Sequence, residues 1–234
     1  MTTQYDSIRN DEGFTLVELA VVMIIIGLLV GGILKGQEMI ANTQVTSTVA
    51  QIKAVDAAVG TFRDMYDSFP GDMQNANNRI TNCNDGVCNP ASNGNQRLEA
   101  APLNAGALAD AESIAFFLQL EAADLISGLD AANSFLDTNI DGNEFVPGYT
   151  AGGAAIGLLA NPRAGHYLSI ATVNTGNGVG LQPLEAARID RKVDDGDPTT
   201  GSAGGDGGAA CGAAGAYDED SQADACAMLI RIQG

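Results

Sequence analysis

Residues 14–34, FTLVELAVVMIIIGLLVGGIL, form an almost unbroken apolar run of sixteen apolar residues, three Gly, one Thr and one carboxylate, Glu18. At about 1.5 Å per residue a helix of this length covers about 30 Å, the hydrocarbon thickness of a bilayer. The run therefore predicts a membrane-crossing helix. Beyond Lys35 the pattern changes without stopping. Val45, Val49, Ile52, Val55, Val59, Phe62 and Tyr66 recur at spacings of three and four, with Gln51, Lys53, Asp56 and Arg63 between them, which is the signature of one apolar helical stripe. Phe69-Pro70-Gly71-Asp72 then breaks the helix, because Pro lacks an amide donor and Gly favours turns. The prediction is a single helix about 80 Å long at 1.5 Å per residue. Its first half suits lipid, and its second half must bury a stripe on something.

The rest of the chain offers that something. HYLSIATV (166–173) and CAMLIRI (226–232) read as strands, while residues 110–126 and 183–193 read as Ala-rich amphipathic helices lying against or beside the sheet. Residues 74–105, rich in Asn, Gly and Pro, read as a loop region. The expected class is α+β.

Composition narrows the partners. The 234 residues carry a formal charge of −18, which argues against a nucleic-acid partner held by clustered Lys and Arg. Such a surface suits solubility outside a cell or the attraction of cations. The four cysteines, Cys83 and Cys88 in CNDGVC and Cys211 and Cys226 near the C-terminus, have three possible pairings. Sequential pairing is expected, since each pair closes a Gly- and Asp-rich loop; free thiols are the alternative. Zinc is disfavoured because neither pair has C-x-x-C spacing and His166, the sole His, sits in a strand-like run far from both.

Glu18 is the anomaly of the apolar run, for a carboxylate there costs roughly 2.5 to 3.5 kcal/mol on insertion scales. A cleaved secretory signal is disfavoured because the run exceeds a usual h-region and no A-x-A-like site follows it. The string Gly13-Phe14-Thr15-Leu16-Val17-Glu18, followed by LAVVMIIIGLL, resembles the processing site of type IV prepilins and pseudopilins. Weaker similarity to larger prepilin-type subunits extends through SFPGDM, ESIAFFLQLEAADLISG and ARIDRKVDDGDPTTG.

That resemblance implies a pilin fold: a long N-terminal helix, half membrane and half amphipathic, on a small antiparallel sheet with extra helices and long loops. It implies a leader, 1–13, removed after Gly13 by prepilin peptidase, with Phe14 becoming the N-methylated first residue. Residues 14–35 would then form the transmembrane and filament-core helix, and 36–234 the globular domain, including the helix to about 66. The leader holds Arg9 against Asp6, Asp11 and Glu12, whereas family leaders are usually more basic. Cleavage would create an α-amino group in lipid, and Glu18 of a neighbouring subunit could neutralise it, rewarding the correct axial stagger. The implied partners are other copies in a helical filament, the peptidase, and an inner-membrane assembly platform with its ATPase. The implied path runs from the inner membrane to a bacterial surface filament. The alternatives are a minor pilin or type II secretion pseudopilin that binds through loops 74–105 and 137–165, or an anchored calcium-binding protein that never polymerises.

Two acidic segments invite Ca²⁺, with a solvated acidic turn as the alternative for the first. Asp190, Asp194, Asp195 and Asp197 crowd a turn containing Gly and Pro, and the related major pseudopilins carry calcium loops near the C-terminus. Asp137-Thr-Asn139-Ile-Asp141-Gly142 matches the opening of an EF-hand loop, but its twelfth position is Gly148 rather than Glu. The pairs Gly27 and Gly31, and Gly32 and Gly36, have the small-residue spacing that lets helices approach closely in lipid. Without G-x-S-x-G, a P-loop or a metalloprotease pattern, catalysis is not expected.

Overall fold

The computed structural model describes residues 14–83, 86–103, 110–129, 134–140, 142–172, 178–213 and 215–232. Gly13 with the rest of the leader, Asp141, and Val173 at the end of the expected strand lie outside the described residues. Helix α1 runs Leu16–Tyr66 and ends where the sequence places the break. Asp67 closes it in the left-handed region, φ 48°, and its N–H still reaches the Arg63 carbonyl at 2.8 Å. Gly71 follows at φ 89° against the Glu112 carbonyl, a backbone approach that leaves no room for a side chain.

The chain divides into two compact units, Met1–Asn42 and Thr43–Gly234. In the first, every residue from Phe14 to Lys35 is exposed, and α1 is the described helix long and apolar enough to cross a membrane. In the second, α1 buries Val45, Thr48, Val49, Ile52, Val55, Ala58, Val59 and Phe62. These are the positions of the apolar stripe, supplemented by Thr48 and Ala58 on the same face.

The second unit is α+β. A five-stranded antiparallel sheet has the order β1-β2-β3-β7-β4, with β1 Leu136–Asp137, β2 Glu144–Thr150, β3 Gly165–Ala171, β4 Ala203–Asp206 and β7 Ala227–Arg231. A second ladder joins β5, Gly212–Ala213, to β6, Ala216–Tyr217. Helix α2 is the short Ala76–Arg79, α3 spans Ala111–Ala122, and α4 spans Pro183–Val193. Asp110 caps α3 by accepting from the Glu112 and Ser113 amides, and Pro183 opens α4 at its first turn, where a missing N–H costs nothing.

Strands β3 and β7 fall on the two runs expected from sequence, whereas β2 lies inside a stretch read as loop. Pro147 and Gly148 disguise it. Yet Pro147 pairs with Leu168 and Gly148 with Tyr167, and β2 is buried from Glu144 to Gly148. A Cβ on Gly148 would meet the Pro102 nitrogen at 2.7 Å, so residues 100–103 crossing over the strand require a glycine there. Strand β4, Ala-Gly-Gly-Asp, is disguised in the same way. The 74–105 region is also more than surface loop: Ile80, Cys83, Cys88, Leu98 and Ala100 belong to the core.

Both edges of the sheet are occupied. On β4, Gly205 accepts from Leu158 N and donates to Pro198 O, and Ala203 donates to Asp194. On β1, the Asp137 carbonyl accepts from Gln51 of α1 at 3.2 Å. Disulfides join Cys83 to Cys88 and Cys211 to Cys226.

Candidate functional site

The start of α1 is built as a reciprocal cap. Thr15 is the N-cap and Glu18 the third helical residue. The Glu18 carboxylate accepts from Thr15 N at 2.9 Å and Thr15 Oγ1 at 2.8 Å, while Thr15 Oγ1 accepts from Glu18 N at 3.3 Å. Two of the amides that a helix start leaves orphaned are thereby satisfied. This matters most in lipid, where water cannot serve them. The spacing Thr15-x-x-Glu18 is the sequence signature of this box.

Around the cap, Phe14 is 83% and Leu16 87% exposed. Farther along, Gly27, Gly31, Gly32 and Gly36 have no atom within 4 Å of where a Cβ would stand. Nothing in the unit itself requires glycine at these four positions.

The family model for the prokaryotic N-terminal methylation motif matches residues 8–34. The chain carries the type IV prepilin/pseudopilin signal. No curated protein and no solved structure matches the chain. The matched residues cover the start of α1, including Phe14, Thr15 and Glu18. The motif supports a pilin- or pseudopilin-type secreted subunit and implies processing by prepilin peptidase and handling by pilus assembly machinery. Together with the apolar helix, the signal suits membrane anchoring.

The acidic turn lies at the other end of the sequence, in the last turn of α4 and the loop after it. Asp190, Asp194 and Asp195 bring carboxylate oxygens within 4.8 Å of one another. Each is also engaged locally. Asp190, fully buried, accepts from the Tyr217 hydroxyl at 2.8 Å and from Gly196 N at 3.4 Å. Asp194 accepts from Ser202 Oγ at 3.1 Å and Ala203 N at 3.2 Å, and Asp195 from Asp197 N and Thr200 Oγ1, both at 2.9 Å. Asp197 stands apart from the three and turns instead to Thr199, N at 2.9 Å and Oγ1 at 2.6 Å.

Burial pushes the Asp190 carboxyl up to about 6; Tyr217 and Gly196 pull it down, and Asp195 and Asp194 push it further up. Burial likewise raises the Tyr217 hydroxyl, with Asp190 adding to the effect. Tyr217 is a partner that no short-range pattern announces. In the EF-hand-like stretch, Asn139 is committed to α1, its side chain donating to Ser47 Oγ at 2.7 Å and its N–H to Gln51 Oε1 at 3.1 Å.

His166 is buried in β3, stacked on Phe69 with ring centroids 3.5 Å apart. Neither ring nitrogen has a hydrogen-bond partner among the described residues. Burial, then Arg63 and Arg97, depress it to about 3, so it stays neutral across physiological pH.

Proposed function

We propose that the protein is a structural subunit of an extracellular type IV pilus-like filament, cleaved after Gly13, methylated at Phe14 and assembled by packing α1 of many copies. The observation that carries this reading is the conjunction of the prepilin signal with an apolar helical segment exposed on every side from Phe14 to Lys35. Lipid covers such a segment before assembly, and neighbouring copies cover it afterwards. Four glycines with open space above them suit close helix approach. Glu18 then neutralises the new amino terminus of a neighbouring subunit. Mass spectrometry of the mature N-terminus tests the reading: a methylated Phe14 is expected, and residues 1–13 still attached would overturn it. Glu18→Ala should be cleaved normally yet polymerise poorly; abundant normal filaments from that variant would remove Glu18 from assembly.

A calcium-binding turn is the second reading, favoured by the convergence of Asp190, Asp194 and Asp195. The donor set is hard oxygen, as Ca²⁺ prefers, and carboxylates already accepting two or three bonds, those of Asp194 all through Oδ2, retain lone pairs for a cation. Bound Ca²⁺ would offset the mutual repulsion of the three acids. Melting with Ca²⁺ and with chelator decides it. A higher Tm with Ca²⁺ is expected, abolished by Asp194→Ala with Asp195→Ala, and an unchanged wild-type Tm would reduce the turn to a self-bonded acidic loop.

A further inference from the structure

Residues 93–103 cross the domain outside the sheet. Ala100 O accepts from Tyr149 N at 2.9 Å, Leu103 N donates to Ser169 Oγ at 3.3 Å and Asn93 O accepts from Gln74 Nε2 at 2.8 Å, while two buried carboxylates hold residues 94–99. Asp72, with no exposed surface, accepts from Gly94 N at 2.8 Å through Oδ1 and from Gln96 N through Oδ2. Glu112, 5% exposed, accepts from Glu99 N at 3.1 Å. Glu99 in turn accepts from the side chains of Asn93, at 2.5 Å, and Asn95, at 3.1 Å. The segment's inner side reaches the core through Leu98 and Ala100. Its outer side exposes Asn93, Asn95, Gln96 and Arg97, with the Arg97 guanidinium 5.1 Å above the Tyr149 ring.

The charged groups facing Glu112 are all acids: Asp72 from the turn after α1, Asp110 at the start of its own helix, and Glu99 from the segment itself. Among the described residues no Lys or Arg forms an ion pair with any of these four. Two buried carboxylates bonded to one short segment cannot both be ionised without repelling one another in a medium that screens them poorly. A protonated carboxyl still offers its carbonyl oxygen to an amide, so a proton on Glu112 removes the repulsion while keeping the bond to Glu99 N.

We propose that Asp72 and Glu112 form a proton-operated latch on residues 93–99, closed while Glu112 carries a proton and loosened when Glu112 gives it up. Its action changes the order of an exposed face of the domain with pH. The latch belongs to the folded domain and does not depend on the filament reading.

The sign follows from linkage. Burial, then Asp72, raise the closed-state Glu112 carboxyl from 4.5 to about 7, and in an opened segment it returns toward 4.5. The closed state holds the proton to higher pH, so closure is favoured as pH falls through 7 and disfavoured as pH rises. Between pH 6 and 8 the opening equilibrium should shift about tenfold toward open. Hydrogen–deuterium exchange on the full-length protein in detergent micelles, corrected for the intrinsic pH dependence of exchange, reads this directly. Peptides covering 93–99 should lose about tenfold in protection from pH 6 to 8, while peptides of β3 and β7 do not. In Glu112→Gln the corrected protection should be flat. A flat wild-type profile overturns the latch, and so does a pH response that survives in Glu112→Gln. Because the wild-type profile is decisive alone, a variant that fails to fold does not shelter the proposal.

Discussion

Thr15 and Glu18 bond one another in both directions, the carboxylate accepting from the threonine amide at 2.9 Å and the threonine hydroxyl accepting from the glutamate amide at 3.3 Å. Glu18 therefore has a task within its own chain before any neighbour arrives. Thr15→Ala should weaken the first turn of α1 by about 0.5 to 2 kcal/mol, and Thr15→Ser by much less. Exchange of the Val17 and Glu18 amides in micelles measures this. Equal protection in wild type and Thr15→Ala would show that the cap contributes nothing there.

The glycines of α1 separate the monomer from the polymer. With nothing within 4 Å of a built Cβ at Gly27 or Gly31, Gly27→Ala with Gly31→Ala should leave the monomer's thermal stability intact, each helix position gaining up to about 1 kcal/mol. If close packing joins the helices in a filament, the same variant should assemble poorly. Full assembly of the alanine variant would mean that these glycines are ordinary helix residues.

His166 and Glu112 give opposed pH dependences. For His166, depressed to about 3, stability is present above the unfolded value of about 6.5 and lost as pH falls below it. Glu112 is raised to about 7, and its contribution grows as pH falls through that value toward 4.5. Between about 4.5 and 6.5 the two slopes offset one another in the wild type. Thermal melting should therefore find Glu112→Gln more acid-sensitive than wild type, and His166→Phe, which keeps a ring against Phe69, less so. Parallel Tm-versus-pH curves for all three proteins would refute both assignments.

The two disulfides should differ in worth. Cys211 and Cys226 lie 15 residues apart and Cys83 and Cys88 only 5, which on the chain-entropy argument corresponds to about 3 and about 2 kcal/mol. Replacing both cysteines of a pair by Ser should lower Tm more for Cys211 and Cys226. The reverse order would point to local packing around Cys83 and Cys88 as the larger contribution.

The parts of this architecture legible in the sequence are those whose cause is periodic and local. The stripe from Val45 to Phe62 fixed the buried face of α1, Pro183 and the Ala-rich pattern set α4, and HYLSIATV set β3. What stayed hidden depends on contacts between distant segments. Pro147 and Gly148 read as breakers until residues 100–103 are seen to cross β2, and Gly204 and Gly205 read as loop until they are found beside β7. The same holds for the sites: Gly13, Phe14 and Glu18 form one contiguous motif, whereas the bond from Tyr217 to Asp190 spans 27 residues and leaves no short-range trace.

The occupied sheet edges carry a last consequence. Exposed edge strands let many proteins recruit a further strand from another molecule and grow into fibres of the cross-β kind. Here Gly205 and Ala203 are engaged by Pro198, Leu158 and Asp194 on one border, and Asp137 by Gln51 on the other. If the chain polymerises as proposed, these engaged borders, among the described residues, disfavour strand addition as a competing route and favour joining through α1 instead.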